Sequence, residues 1–134
     1  MTPRTVTLLD KPLSGLRILV VEDEVIIVMM IEGMLSDLGC SDVVSAPSVD
    51  KALALLDGQS FDIALLDVNL GGRDSRPVAE ALERRGVPFA YCTGNRADNG
   101  AKGDLDRPAL RKPFSAEELA AALSRLIQAD YSTC

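Results

Sequence analysis

The sequence predicts an α/β fold in which helices wind a parallel sheet on both faces. Two observations predict it. Short apolar runs alternate with segments of helical spacing along most of the 134 residues, the pattern of parallel βα units joined by right-handed crossovers. The apolar runs are also continuous rather than alternating, as strands covered on both faces must be.

Residues 1–14 ("MTPRTVTLLDKPLS") carry two prolines and no clear period, and read as a tail or linker. The domain is expected over 15–130, with 131–134 a C-terminal tail. "RILVV" (17–21) is the first strand. Residues 24–38 follow with Ile27, Met30, Ile31, Met34, Leu35 and Leu38 on one helical face, and Gly39 is a natural stop. "DVVSA" (42–46) is the second strand. Ser48 suits the N-cap of a helix through Asp57 that turns Val49, Ala52, Leu53 and Leu56 inward. "FDIALL" (61–66) is the third strand. A helix over about 75–85 has Val78, Ala79 and Leu82 inward and ends at Gly86. "VPFAYC" (87–92) is the fourth strand, and after the weak segment 94–107 "ALR" (109–111) is a short fifth. Ser115 with Glu118 three residues later forms a capping box for a last helix over 116–129.

Composition narrows the chemistry. Hydrophobic residues make up 47% and charged residues 25%, the balance of a soluble globular protein, and the scarcity of aromatics (4%, no Trp) predicts an aliphatic core. The longest apolar run, "VIIVMMI" (25–31), is far shorter than the roughly 18–20 residues that span a bilayer. No signal peptide and no membrane partner are therefore expected. A net charge of −6 and a pI near 4.6 argue against direct nucleic-acid binding. Cys40, Cys92 and Cys134 are too widely spaced for a zinc site or a disulfide framework, which suggests a reducing cytoplasm. With no histidine, Ser-His-Asp and Cys-His catalysis are excluded. Any bound metal must take oxygen ligands, which points to Mg²⁺ or Mn²⁺.

In open α/β sheets ligands bind beyond the carboxyl ends of the strands. There the first strand ends in Glu22 and Asp23, the third in Asp67, the fourth in Thr93-Gly94 and the fifth in Lys112-Pro113. Asp67 closes a run that reads as buried, and a carboxylate is seldom buried without a partner. Two carboxylates about 5 Å apart at an effective dielectric of about 20 repel by roughly 3 kcal/mol. Three converging acids thus favour a divalent cation, which Mg²⁺ satisfies with carboxylates, waters and phosphate. Glu24 reads as an ordinary acidic helix start. Ile26 and Met29 fall off the inward face of their helix, where they would pack or form a docking spot for a partner.

This set resembles the receiver domain of two-component response regulators over nearly all of residues 16–129. "ILVVEDE", "ALLDVNL", "CTGN" and "RKPF" carry the resemblance, in the family's order and with similar spacing. It implies a (βα)5 flavodoxin-like sheet of strand order 2-1-3-4-5, with Asp67 as phosphoryl acceptor. Asp23 and Asp67 would bind Mg²⁺ directly, Glu22 would act through a metal-bound water, and the Asn69 backbone carbonyl would complete the ligands. Thr93 would donate a hydrogen bond to one phosphoryl oxygen and Lys112 would pair with another. Pro113 matches the family's Lys-Pro dipeptide, whose cis bond would aim the lysine inward. Asn69 and Asn95 would tune the lifetime of the phosphoryl group. Its donor would be a histidine kinase, a histidine phosphotransfer protein or a small phosphodonor, and the output would be a change in affinity for another protein.

The sequence also departs from the family. Ala109 stands where most receivers carry the Tyr or Phe of an aromatic switch. "PFAYCTGN" with "DRPALRKPF" is similar to the FAT GUY subgroup of single-domain regulators, whose Phe-Ala-Thr-Gly-Tyr reads Tyr91-Cys92-Thr93-Gly94-Asn95 here. That likeness suggests an HWE-type kinase. Segment 94–107 should hold the fourth helix, yet offers only Ala97, Ala101 and Leu105 as a stripe among glycines and Asx residues. It is expected to be short or partly unformed until phosphorylation orders it through Thr93. The first and last helices, or the surface around 94–110, would serve a homodimer. Two other readings are a pseudo-receiver that only binds proteins and an aspartate-nucleophile phosphatase. The latter typically has a second Asp where this chain has Asn69.

Overall fold

Five parallel strands form the central sheet of this computed structural model, which describes residues 13–93 and 109–132, with side chains of the last helix described as far as Ile127. In chain order the elements are β1 (Arg17–Val21), α1 (Val25–Asp37), β2 (Asp42–Ala46), α2 (Val49–Gly58), β3 (Ile63–Asp67), β4 (Asn69–Leu70), β5 (Arg73–Asp74), α3 (Arg76–Arg84), β6 (Phe89–Thr93), β7 (Ala109–Arg111) and α4 (Ala116–Ser132). The sheet runs β2-β1-β3-β6-β7. Counting only its five strands, this is the predicted order 2-1-3-4-5. The expected fourth helix, with Gly94 and Asn95, lies outside the described residues.

Alternation along the strands divides the core in two. Ile18, Val20, Ile63, Leu65, Ala90 and Leu110 face α1 and α4, where they meet Ile31, Leu35, Leu119 and Leu123. Leu19, Val21, Leu66 and Phe89 face α2 and α3, against Ala52, Leu56, Val78 and Leu82. Leu13, inside the segment read as a tail, is buried in the first of these clusters. Phe89 meets Tyr91 edge to face at 5.4 Å. No helix among the described residues is long and apolar enough to cross a membrane.

Local chemistry explains the boundaries. Ser48 caps α2 by accepting from Lys51 N–H at 3.1 Å. The capping box of α4 is present in both directions: Ser115 N–H donates to Glu118 Oε1 at 2.8 Å, and Glu118 N–H to Ser115 Oγ at 3.1 Å. The third strand begins at Ile63 rather than Phe61, because Asp62 is engaged with Arg17. Asp62 N–H donates to Arg17 O at 2.8 Å, and Arg17 N–H to Asp62 Oδ2 at 2.8 Å. The fourth begins at Phe89 rather than Val87, since Pro88 has no N–H to give the ladder and only accepts, from Ala64 at 3.1 Å.

The short hairpin β4–β5 was not foreseen. It joins Asn69 to Asp74 and Leu70 to Arg73 through Gly71 and Gly72, at φ +58° and +89°. A two-residue type I′ turn, which matches strand twist, has positive φ at both positions, as Gly71 and Gly72 do here, so the Gly-Gly dipeptide is the signal that would have found it.

Two substitutions test this packing by urea denaturation at unchanged m-value. Phe89→Ala is expected to cost about 3–5 kcal/mol through the cavity it leaves between the sheet and α2 and α3. Ser48→Ala is expected to cost about 1 kcal/mol through loss of the cap.

Candidate functional site

The parallel register brings the strand ends level. Val21 pairs with Leu66, Asp67 with Cys92, and Thr93 with Arg111. Glu22, Asp67, Thr93 and Lys112 therefore meet at one edge although up to 90 residues separate them in sequence. Lys112 N–H donates to Thr93 O at 2.8 Å, continuing the ladder just past β7. The Lys112–Pro113 peptide bond is cis.

The lysine side chain joins the two buried acids. Lys112 Nζ lies 2.8 Å from Glu22 Oε1 and 3.2 Å from Asp67 Oδ2. Glu22 is only 2% exposed and Asp67 5%. Their other oxygens accept from backbone amides, Glu22 Oε2 from Glu24 N–H at 3.1 Å and Asp67 Oδ1 from Asn69 N–H at 3.3 Å. Among the described residues every buried side-chain nitrogen and oxygen has a partner.

Burial pushes the Glu22 carboxyl above its ordinary value, against the hydrogen bond from Lys112 and with the nearby Asp67 charge adding to the rise. Burial raises Asp67 likewise, with the Lys112 charge and the Asn69 amide opposing it. For Lys112 burial works downward, but the bond to Glu22 and the charges of Asp67 and Glu22 outweigh it and hold the ammonium above its ordinary value. Cys92, one strand over from Asp67, has its thiol pushed up to about 12 by burial.

Asp23 completes the acidic group from the solvent side. Glu22, Asp23 and Asp67 each offer a carboxylate oxygen, all within 4.8 Å of one another. Two buried carboxylates, one exposed one and no histidine or thiolate make a donor set for a hard divalent cation. The hairpin adds to it. Asn69 pairs opposite Asp74 while Ser75 N–H bonds Val68 O at 3.3 Å, so Asn69 occupies a non-hydrogen-bonded position of the ladder. Its N–H and C=O both face away from β5, and its N–H already reaches Asp67. A Cβ added to Gly71 would lie 3.6 Å from Asp23 Oδ2, so the turn also passes close to that carboxylate. Sequence reasoning missed the hairpin's part in this wall.

Thr93 is half-buried at the end of β6. Just beyond Asp23, Val25, Ile26 and Met29 of α1 are the exposed large hydrophobics of the described chain, with Ile26 81% exposed.

The match to known proteins follows the same residues. The family model for the response regulator receiver domain matches residues 18–124. The transcriptional regulatory protein TcrA of Mycobacterium tuberculosis is 36% identical over 118 residues, covering 84% of this chain and 46% of its own. The chain thus spans about half the length of that curated relative. SdrG from Sphingomonas melonis, a solution structure, superposes with a TM-score of 0.76 at 44% identity, covering 84% of this chain and 96% of its own. The BeF3-activated conformation of SdrG from Pseudomonas melonis gives 0.72 at 43% identity, over 82% of this chain and 94% of its own. The edge-of-sheet constellation, the strand order and these matches agree: the chain belongs to the response regulator receiver domain family.

Proposed function

We propose that this receiver accepts a phosphoryl group on Asp67, with Mg²⁺ or Mn²⁺ bound by Asp23, Asp67 and the Asn69 carbonyl, and with Glu22 acting through a metal-bound water. One observation carries the reading: Lys112 Nζ bridges Glu22 and Asp67, a fixed cation beside the acid that would be phosphorylated. An Asp67 oxygen attacks phosphorus. The new P–O bond forms as the donor's P–N bond breaks, and the departing imidazole takes the electron pair. When bound, the cation neutralises charge on the transferring group. Lys112 exchanges Asp67 Oδ2 for a phosphoryl oxygen and so stays paired, while the Asn69 amide holds the other carboxylate oxygen. Thr93 donates its hydroxyl to a second phosphoryl oxygen.

The donor in this reading is a histidine kinase, of HWE type by likeness to the FAT GUY subgroup, or a histidine phosphotransfer protein, all in the cytoplasm. Exposed Val25, Ile26 and Met29 beside the acids give such a partner an apolar surface to cover. The receiver signals through its affinity for an output protein rather than by substrate turnover, with a domain that reaches beyond the expected 15–130 to take in Leu13, which is buried in the core, and the last helix to Ser132.

Intact mass after incubation with acetyl phosphate tests the acceptor. One Mg²⁺-dependent phosphoryl group is expected on the wild type and none on Asp67→Ala; a modified Asp67→Ala would place the acceptor elsewhere. Lys112→Met leaves two buried carboxylates without their cation, and in EDTA it is expected to lose about 3 kcal/mol of stability. Saturating Mg²⁺, at about 100 times its Kd, should stabilise the wild type by about 2.7 kcal/mol, read as a shift in the urea midpoint.

A further inference from the structure

Ser75 is buried as deeply as Glu22 and Asp67, at 1% exposed, and the site described above makes no use of its hydroxyl. It stands at the N-cap of α3, where a serine hydroxyl ordinarily accepts from an amide of the first turn. Here that turn is complete without it. Arg76 N–H goes to Asp74 Oδ1 at 2.8 Å, Pro77 has no amide proton, and Val78 and Ala79 N–H both reach Ser75 O. The hydroxyl turns inward instead and donates to Val68 O at 2.9 Å. Ser75 N–H reaches the same oxygen at 3.3 Å. Val68 O belongs to the peptide unit whose other end is Asn69 N–H, and across a trans unit the two point in opposite directions. That N–H donates to Asp67 Oδ1 at 3.3 Å. One end of the peptide is therefore held by Ser75, and the other lies on the carboxylate. The preceding peptide is fixed as well, by Val68 N–H to Cys92 O at 3.2 Å. A carbonyl that accepts two hydrogen bonds also polarises its own amide, which makes the N–H a better donor.

We propose that Ser75 is a positioning residue for phosphoryl transfer, its hydroxyl aiming the Val68–Asn69 peptide so that the Asn69 N–H stands at the reacting carboxylate. The inference rests on Asp67 being the acceptor, as proposed above. With the Asn69 N–H on Oδ1 and Lys112 on Oδ2, the carboxylate is held at both oxygens. Attack on phosphorus needs that carboxylate in one orientation, and a peptide free to rock beside it forfeits part of the advantage. Without the hydroxyl, only the longer of the two Ser75 bonds to Val68 O remains.

Ser75→Ala removes the hydroxyl and Ser75→Thr keeps it. Val78→Ala is the control for stability, since it truncates a core residue of the same helix and removes no hydrogen-bonding group. Each full chain is incubated with acetyl phosphate at saturating Mg²⁺. The phosphorylation rate is read by intact mass, and the Asn69 amide proton is followed by NMR. Ser75→Ala is expected to be phosphorylated about tenfold more slowly, short of the roughly hundredfold that a 1 Å misplacement can cost. Its Asn69 amide resonance should move upfield as the bond to Asp67 weakens. Ser75→Thr should recover most of the rate and of the resonance position. Val78→Ala should lower the urea midpoint and leave both near wild type. A wild-type rate in Ser75→Ala, a Ser75→Thr rate no faster than that of Ser75→Ala, or an equal loss in Val78→Ala would overturn the proposal. A wild-type chain that gains no phosphoryl group would overturn the acceptor reading itself, and this inference with it.

Discussion

Lys112 is the interaction on which the site depends. Two carboxylates nearly withdrawn from solvent cannot both stay ionised in a protein interior without a compensating charge, and the ammonium 2.8 and 3.2 Å away supplies it. Lys112 can reach them only because β7 lies at the edge of the sheet beside β6, with its backbone bonded to Thr93. The fold thus makes a contact between Glu22 and Lys112, 90 residues apart in sequence, into a local one. Remove the parallel register, and the same three residues would be dispersed acids and a surface lysine.

The two faces of the sheet serve that edge differently. The α1 and α4 face anchors the lysine end through Leu110 and Phe114, which are buried in its cluster. The α2 and α3 face supports the Asp67 end through Leu66, the residue before it, and through Leu70 of the hairpin. Between them the site is rigid where charge must be held and open where Asp23 meets solvent. That division suits the proposed centre, in which a hydrated cation and a transferring group would meet walls already in place.

Much of this was legible in the sequence. Continuous apolar runs and capping signals gave the sheet and the helices, and the acids after the first and third strands pointed to the edge. The ends of the fourth and fifth strands placed Thr93 and Lys112 beside them, and the resemblance to receivers supplied their expected roles. What the sequence did not disclose was where single side chains spend their hydrogen bonds. Asp62 bonds Arg17 and so starts β3 two residues late, while Pro88 delays β6. The Gly-Gly turn was visible as a breaker but not as a hairpin, because its flanking strands are two residues each and carry no period. Leu13 was hidden for a similar reason: one apolar residue between Pro12 and Ser14 has no pattern to join, yet it is buried in the core cluster with α1 and α4.

Cys92 carries a last consequence. It sits in β6 directly opposite Asp67, but its thiol is sealed in the sheet and held at about 12, so almost none of it is thiolate at neutral pH. Oxidants and electrophiles act on the thiolate, and they need access. A sulfur one strand over from Asp67 is therefore shielded, and oxidants have no direct grip there on the neighbouring carboxylate chemistry. Burial insulates one kind of chemistry from the other within a single pair of neighbouring strands.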